Sequence, residues 1–104
     1  MTTNPIAVVS YMTIQPGTEQ TFLDQFGELV AQTRAEQGCI DYAFHQHPKD
    51  SYRFFFYESF VDQAAFDFHL NQPYTQAWVA LANAHGARFD VETWTMLSRR
   101  DRTR

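Results

Sequence analysis

Four aromatic residues in a row, Phe54, Phe55, Phe56 and Tyr57, stand in the segment "YRFFFYESF". Preceded by the turn-forming "PKDS" and rich in aromatic side chains, the segment reads as a strand. Side chains alternate between the faces of a strand, so Phe54 and Phe56 point one way and Phe55 and Tyr57 the other. A sheet with one wetted side would carry polar residues at every second position instead. Both faces of this strand therefore need a cover. The chain has 104 residues, room for one domain with a modest core, and enough helix for one face only. The second cover has to come from outside, and a second copy of the same chain is the simplest source.

The remaining elements follow from periodicity. "IAVVSYMTI", residues 6–14, is β-branched and aromatic and closes on the breaker pair Pro16-Gly17. After Thr18, the apolar positions Phe22, Phe26, Leu29 and Val30, with Thr33, fall on one helical face. Glu19 near the start and Arg34 near the end suit the helix dipole, and Gly38 is available to stop the helix. "CIDYAFHQH" reads as a strand with Ile40, Tyr42 and Phe44 on one face. Beyond the aromatic strand, Asp62 is an N-cap for "QAAFDFHL", and Pro73 separates this helix from "YTQAWVALANAH". "GARFDVETWTML" closes the pattern as a strand, with Phe89, Val91, Thr93, Thr95 and Leu97 opposite Arg88, Asp90, Glu92, Trp94 and Met96. Strand, helix, strand, strand, helix pair, strand is the split βαβ order of an α+β, ferredoxin-like domain with a four-stranded antiparallel sheet. Residues 1–98 are expected to form that single domain, and residues 99–104 a solvated basic tail.

Composition narrows the function. Hydrophobic residues make up 44% and charged residues 19%, as in a folded globule. No apolar run approaches the roughly 18 residues of a membrane span, and no basic region precedes the first apolar stretch. The expectation is a cytoplasmic protein with no membrane partner. Residues 1–98 carry four basic and eleven acidic side chains, a net of −7, which argues against a nucleic-acid partner. Cys39 is the sole cysteine. It has no disulfide partner within the chain and no second thiol for a metal cluster, so it reads as a small buried hydrophobe. His45 and His47 lie two apart on one strand face but lack a third ligand at a readable spacing, so no metal site is expected. His85, just before Gly86, reads as a helix C-terminal residue. Gly17, Gly27, Gly38 and Gly86 are scattered and form no phosphate-cradling loop, so no flavin or nicotinamide cofactor is expected.

The segments "EQGCIDYAFHQ", "FFFYESFVDQAAFDFHL" and "NQPYTQAW" resemble the antibiotic biosynthesis monooxygenase family. The similarity runs from about Ile6 to Leu97 and is most specific at Glu36, Gly38, Cys39 and Tyr42, then at Glu58, Ala65 and His69. The resemblance implies a homodimer in which two four-stranded sheets join into an α+β barrel, with a substrate pocket in each subunit between sheet and helices. Departures from the family narrow the comparison. The polyketide-oxidising branch carries an Asn and a Trp where this chain has Phe56 and Phe60. The haem-degrading branch uses a first-strand Asn where Ser10 stands, and its axial His aligns near Trp78, which argues against haem. What is left is similar to the quinol monooxygenase-like members.

Period two puts Phe54, Phe56, Glu58 and Phe60 on one strand face, which by resemblance lines the pocket. A carboxylate there needs a partner, water or a proton, since burying it bare is costly. His69, one helix away, is the candidate partner, and a Glu-oriented imidazole is a usable general base. Two readings compete: Glu58 and His69 as an acid–base pair, or Glu58 on backbone amides and His69 bracing the helix pair. Tyr74, after Pro73, either contacts a substrate oxygen or packs at a helix start. Phe56, Phe60, Tyr42, Tyr57, Trp78 and Trp94 are candidate aromatic walls for a flat apolar ligand, or core.

The leading expectation is a cofactor-independent monooxygenase acting on a small phenol, quinol or polyketide-like substrate with dioxygen. His69 is its base, Glu58 orients His69, and Tyr74 contacts the oxyanion. A cofactor-free isomerase of a small carbonyl compound and a non-catalytic binding module for an aromatic metabolite are the alternatives.

Overall fold

A computed structural model describes residues 4–99. Its elements are β1 (Ile6–Thr13), α1 (Glu19–Arg34), β2 (Cys39–Gln46), β3 (Arg53–Phe60), α2 (Gln63–Leu70), α3 (Pro73–Ala84) and β4 (Arg88–Thr95). The four strands form one antiparallel sheet in the order β2-β3-β1-β4. This is the α+β, split βαβ architecture read from the sequence. Of the Arg-rich tail only Arg99 falls within the described residues.

Strand register sorts the side chains into two faces. Across β1 and β3, Ile6 pairs with Phe60, Val8 with Glu58, Ser10 with Phe56 and Met12 with Phe54, and all eight are buried beneath the helices. The alternate positions Val9, Tyr11, Phe55 and Tyr57 share the opposite face, where no helix packs. The core has two parts. Phe22 and Leu29 of α1 and Trp78 and Ala82 of α3 pack on Met12, Phe54, Phe56 and Tyr42. Phe66 of α2 packs on Ile6, Val8 and Phe60.

Local chemistry sets the element ends. Asp62 caps α2 by accepting from the Ala65 amide at 2.8 Å, and Pro73 opens α3 at a position where its missing N–H costs nothing. Two sequence expectations are revised. Gly38 does not terminate α1, whose C-cap is Ala35. Its hydrogen is needed where α2 crosses, since a Cβ there would lie 2.4 Å from the Cβ of Ala65. Nor does β2 alternate from its start: a bulge at Ile40 lets Cys39 pair with Phe60 while Asp41 pairs with Ser59. Cys39 therefore takes the helix-facing place expected for Ile40, and it packs against both parts of the core.

Candidate active site

The strand-to-helix seam after β3 brings three polar side chains into the apolar interior. Glu58 comes from β3, His69 from the last turn of α2, and Glu36 from the turn between α1 and β2. All are buried, with 6%, 2% and 8% of their surface exposed. His69 Nδ1 lies 2.9 Å from Glu36 Oε2. The Tyr74 hydroxyl donates to the same oxygen at 2.5 Å, and Thr75 Oγ1 lies 3.4 Å from Nδ1. The tautomer with its proton on Nδ1 donates to the same Glu36 oxygen that Tyr74 does, and the other ring nitrogen, Nε2, faces Glu58. Nε2 and Glu58 Oε1 are 3.9 Å apart, beyond hydrogen-bond range. The rings of Phe60, Tyr42 and Phe66 hold the imidazole from its sides, with centroids at 5.2, 5.3 and 6.4 Å.

The pair opens on a cavity of about 210 Å³, small beside the roughly 300–1,000 Å³ of pockets for drug-sized ligands. Val8, Phe56, Phe66, Trp78 and Phe89 give it apolar walls, with Ser10, Tyr42 and Thr75 as further polar groups. Leu70, Val79 and Val91 also line it, and these are 41%, 42% and 53% exposed. They mark an apolar mouth between the helices and β4. Trp78 carries a buried indole N–H with no acceptor among the described residues, a group that gains from a ligand acceptor.

The electrostatics follow from burial. Desolvation, followed by the nearby Glu36, pushes the Glu58 carboxyl up to about 8. Desolvation and then Glu58 push the Tyr42 phenol up. Tyr74 is also raised, by desolvation and then by its hydrogen bond to Glu36. The Cys39 thiol is pushed up to about 12 by burial first and Glu36 second. It is an inert thiol rather than a nucleophile.

Of the residues expected at the site, His69, Glu58, Phe56, Tyr42 and Trp78 line the cavity. Tyr74 does not. Its hydroxyl is engaged with Glu36, and its ring faces a groove between α1 and α3. Phe60 is fully buried behind His69. Tyr57 and Trp94 pair with Val9 and Ala7, which puts them on the opposite face of the sheet, away from the cavity. The carboxylate bonded to His69 is Glu36, not Glu58. Glu36 stands in a turn, where no periodicity assigns a direction, and only its place in "EQGC" signalled it. His45 stacks on Phe55 and His47 accepts from the Lys49 amide. Among the described residues, no three His, Cys, Asp or Glu side chains are grouped to hold a metal ion, and no helix is long and apolar enough to cross a membrane.

A split βαβ sheet with helices on one face, and a buried imidazole–carboxylate cluster beside a small apolar cavity between them, defines the α+β class of this domain. Comparison with known proteins gives that class its family: residues 5–81 match the antibiotic biosynthesis monooxygenase model, and the chain belongs to that family. PA3566 from Pseudomonas aeruginosa superposes with a TM-score of 0.83 at 26% identity, over 94% of this chain and 99% of that one. A crystal structure described as an antibiotic biosynthesis monooxygenase is 32% identical, with a TM-score of 0.78, over 91% of this chain and 99% of that one. The Synechocystis protein sll1783 is 29% identical over 76 residues, 73% of this chain. The match spans about half, 52%, of that relative's length.

Proposed function

We propose that the chain is a cofactor-independent monooxygenase acting on a small phenol or quinol. The observation that carries this reading is the buried imidazole of His69, fixed at Nδ1 by Glu36 and turned through Nε2 toward an apolar cavity. An imidazole held in this way is a general base, and its surroundings favour a flat apolar ligand. Family membership and a 32% identical structure described as a monooxygenase support the reaction class.

Removing a phenolic proton leaves an electron-rich anion that can pass an electron to dioxygen. The overall reaction balances without an external reductant. One oxygen atom enters the ring as a new carbonyl oxygen, the other leaves as water with the two displaced hydrogens, and the substrate supplies all four electrons. In this reading His69 takes the proton, Glu36 orients His69, and Tyr74 steadies Glu36 rather than meeting substrate. Phe56 and Trp78 supply walls. A second copy of the chain covers the open face of the sheet, where Tyr11 is 47% and Trp94 is 58% exposed.

The test is oxygen uptake by metal-free protein over hydroquinones, dihydroxynaphthalenes and anthrones, with heat-killed protein as the autoxidation background. Uptake above background with one equivalent of oxygen per product is the expected result. Product formation under argon would replace this reading with carbonyl isomerisation, which an acid and a base facing across 3.9 Å also suit. Quenching of tryptophan fluorescence by these compounds without any product would make the chain a binding module.

A further inference from the structure

His69 Nε2 and Glu58 Oε1 face one another at 3.9 Å on the cavity wall. The pair is too far apart to bond directly, yet a single oxygen atom between them can lie within about 2.8 Å of each. In the neutral tautomer that donates from Nδ1 to Glu36, Nε2 is an acceptor. A carboxylate opposite it would set two acceptors against each other in an apolar site. Glu58 has no hydrogen bond to another side chain or to a cation among the described residues, although it is only 6% exposed. A carboxyl in that position lowers its energy by keeping its proton. It is then a donor facing an acceptor, and a hydroxyl oxygen, which both donates and accepts, complements the two at once.

We propose that the gap between His69 Nε2 and Glu58 is a binding site for one hydroxyl group of an aromatic ligand, and that Glu58 acts there as an un-ionised hydrogen-bond donor. The hydroxyl gives its proton to Nε2. The same oxygen, as it becomes negative, accepts from the Glu58 carboxyl and from the newly formed Nε2–H. No electron moves in this step, and no proton leaves the site. An ether offers no proton to Nε2, and a ketone leaves Nε2 unpaired, so the site selects a hydroxyl. The inference deepens the proposed monooxygenase reading and rests on it for the phenolic class of the ligand.

Ionisation of Glu58 should weaken binding as pH rises through about 8. The other titratable groups facing it are His69 from α2, Glu36 from the α1–β2 turn, and Tyr42 and Cys39 from β2. Burial keeps the last two protonated across this range. In a His69→Asn variant the alkaline fall reports Glu58 without the imidazole beside it.

The experiment is equilibrium binding of 4-methylphenol and of its methyl ether under argon, read by tryptophan quenching from pH 6.5 to 9.5. The unmodified protein is expected to bind the phenol about tenfold tighter than the ether below pH 8, the size of one well-placed buried hydrogen bond. Affinity for the phenol is expected to fall above pH 8, in His69→Asn as well. Glu58→Gln keeps a donor and is expected to hold affinity within about threefold with the alkaline fall removed, whereas Glu58→Ala loses about tenfold. Equal binding of phenol and ether would overturn the proposal without need of any variant. So would a Glu58→Gln protein as weak as Glu58→Ala, since a charged carboxylate would then be required. Binding under argon is independent of oxygenation. A protein that meets these expectations yet consumes no oxygen keeps the hydroxyl site and loses the monooxygenase reading. One that consumes oxygen but fails them keeps the reading and loses this assignment.

Discussion

Two glutamates within reach of one histidine behave differently because of what each can accept. Glu36 receives the Tyr74 hydroxyl and the His69 Nδ1–H on one oxygen. Glu58 faces His69 Nε2 across 3.9 Å, beyond hydrogen-bond range. Replacing Glu36 with Gln removes the charge that favours the proton on Nδ1 and lets the amide nitrogen compete for that position. It should lower kcat by about 10- to 100-fold, part of the range that general base catalysis contributes, with little change in KM; steady-state oxygen uptake checks both constants. Glu58 carries a stability signature of its own. The usual value of 4.5 rises to about 8 in the folded chain. Between those values the folded protein holds a proton that the unfolded chain has released, so stability falls as pH rises through the window. Urea unfolding at pH 5 and at pH 8 should show that loss in the unmodified protein and a flatter profile in Glu58→Gln. An equal slope in both would show that Glu58 is not the group responsible.

At the scale of elements, the contact between α2 and the α1–β2 turn decides where His69 and Glu36 meet. Gly38 lets α2 approach so closely that a methyl group there would overlap the Cβ of Ala65 at 2.4 Å. Gly38→Ala should destabilise the protein by about 1–3 kcal/mol, the usual cost of overpacking, and Ala65→Gly in the same chain should recover most of it. A double-mutant cycle by urea unfolding measures the coupling, and additive effects would mean the contact is not the cause. Strand alternation assigned Phe56 and Glu58 to the helix face, and the apolar spacing of "TFLDQFGELVAQT" marked the buried side of α1. The same alternation sends Tyr57 and Trp94 to the other face, so aromatic character alone was a poor guide to the cavity wall. The Ile40 bulge and the Glu36–His69 bond were not legible. One depends on a local irregularity in pairing, the other on two segments 33 positions apart meeting through packing.

For the whole molecule, the open face of the sheet is the outstanding surface. Its centre is formed by Val9, Tyr11, Phe55 and Tyr57, with Arg53, Arg88, Asp90 and Glu92 on the same face around it, and an apolar centre bordered by both signs of charge suits a second copy of the chain as its cover. Sedimentation at micromolar concentration is expected to give a dimer, and Tyr11→Asp, which puts a charge at the centre of this face, should shift it to monomer. A monomeric unmodified protein would leave the aromatic face without the cover proposed for it.

His69 is proposed to remove a proton from a phenolic substrate in the cavity between sheet and helices. The most direct test is oxygen uptake by His69→Ala, with folding checked by circular dichroism, on whichever quinol or phenol the unmodified protein oxidises fastest. That role predicts a fall in kcat of about 10²- to 10⁴-fold, the usual worth of a positioned general base. A folded His69→Ala protein that turns over at the unmodified rate would contradict it.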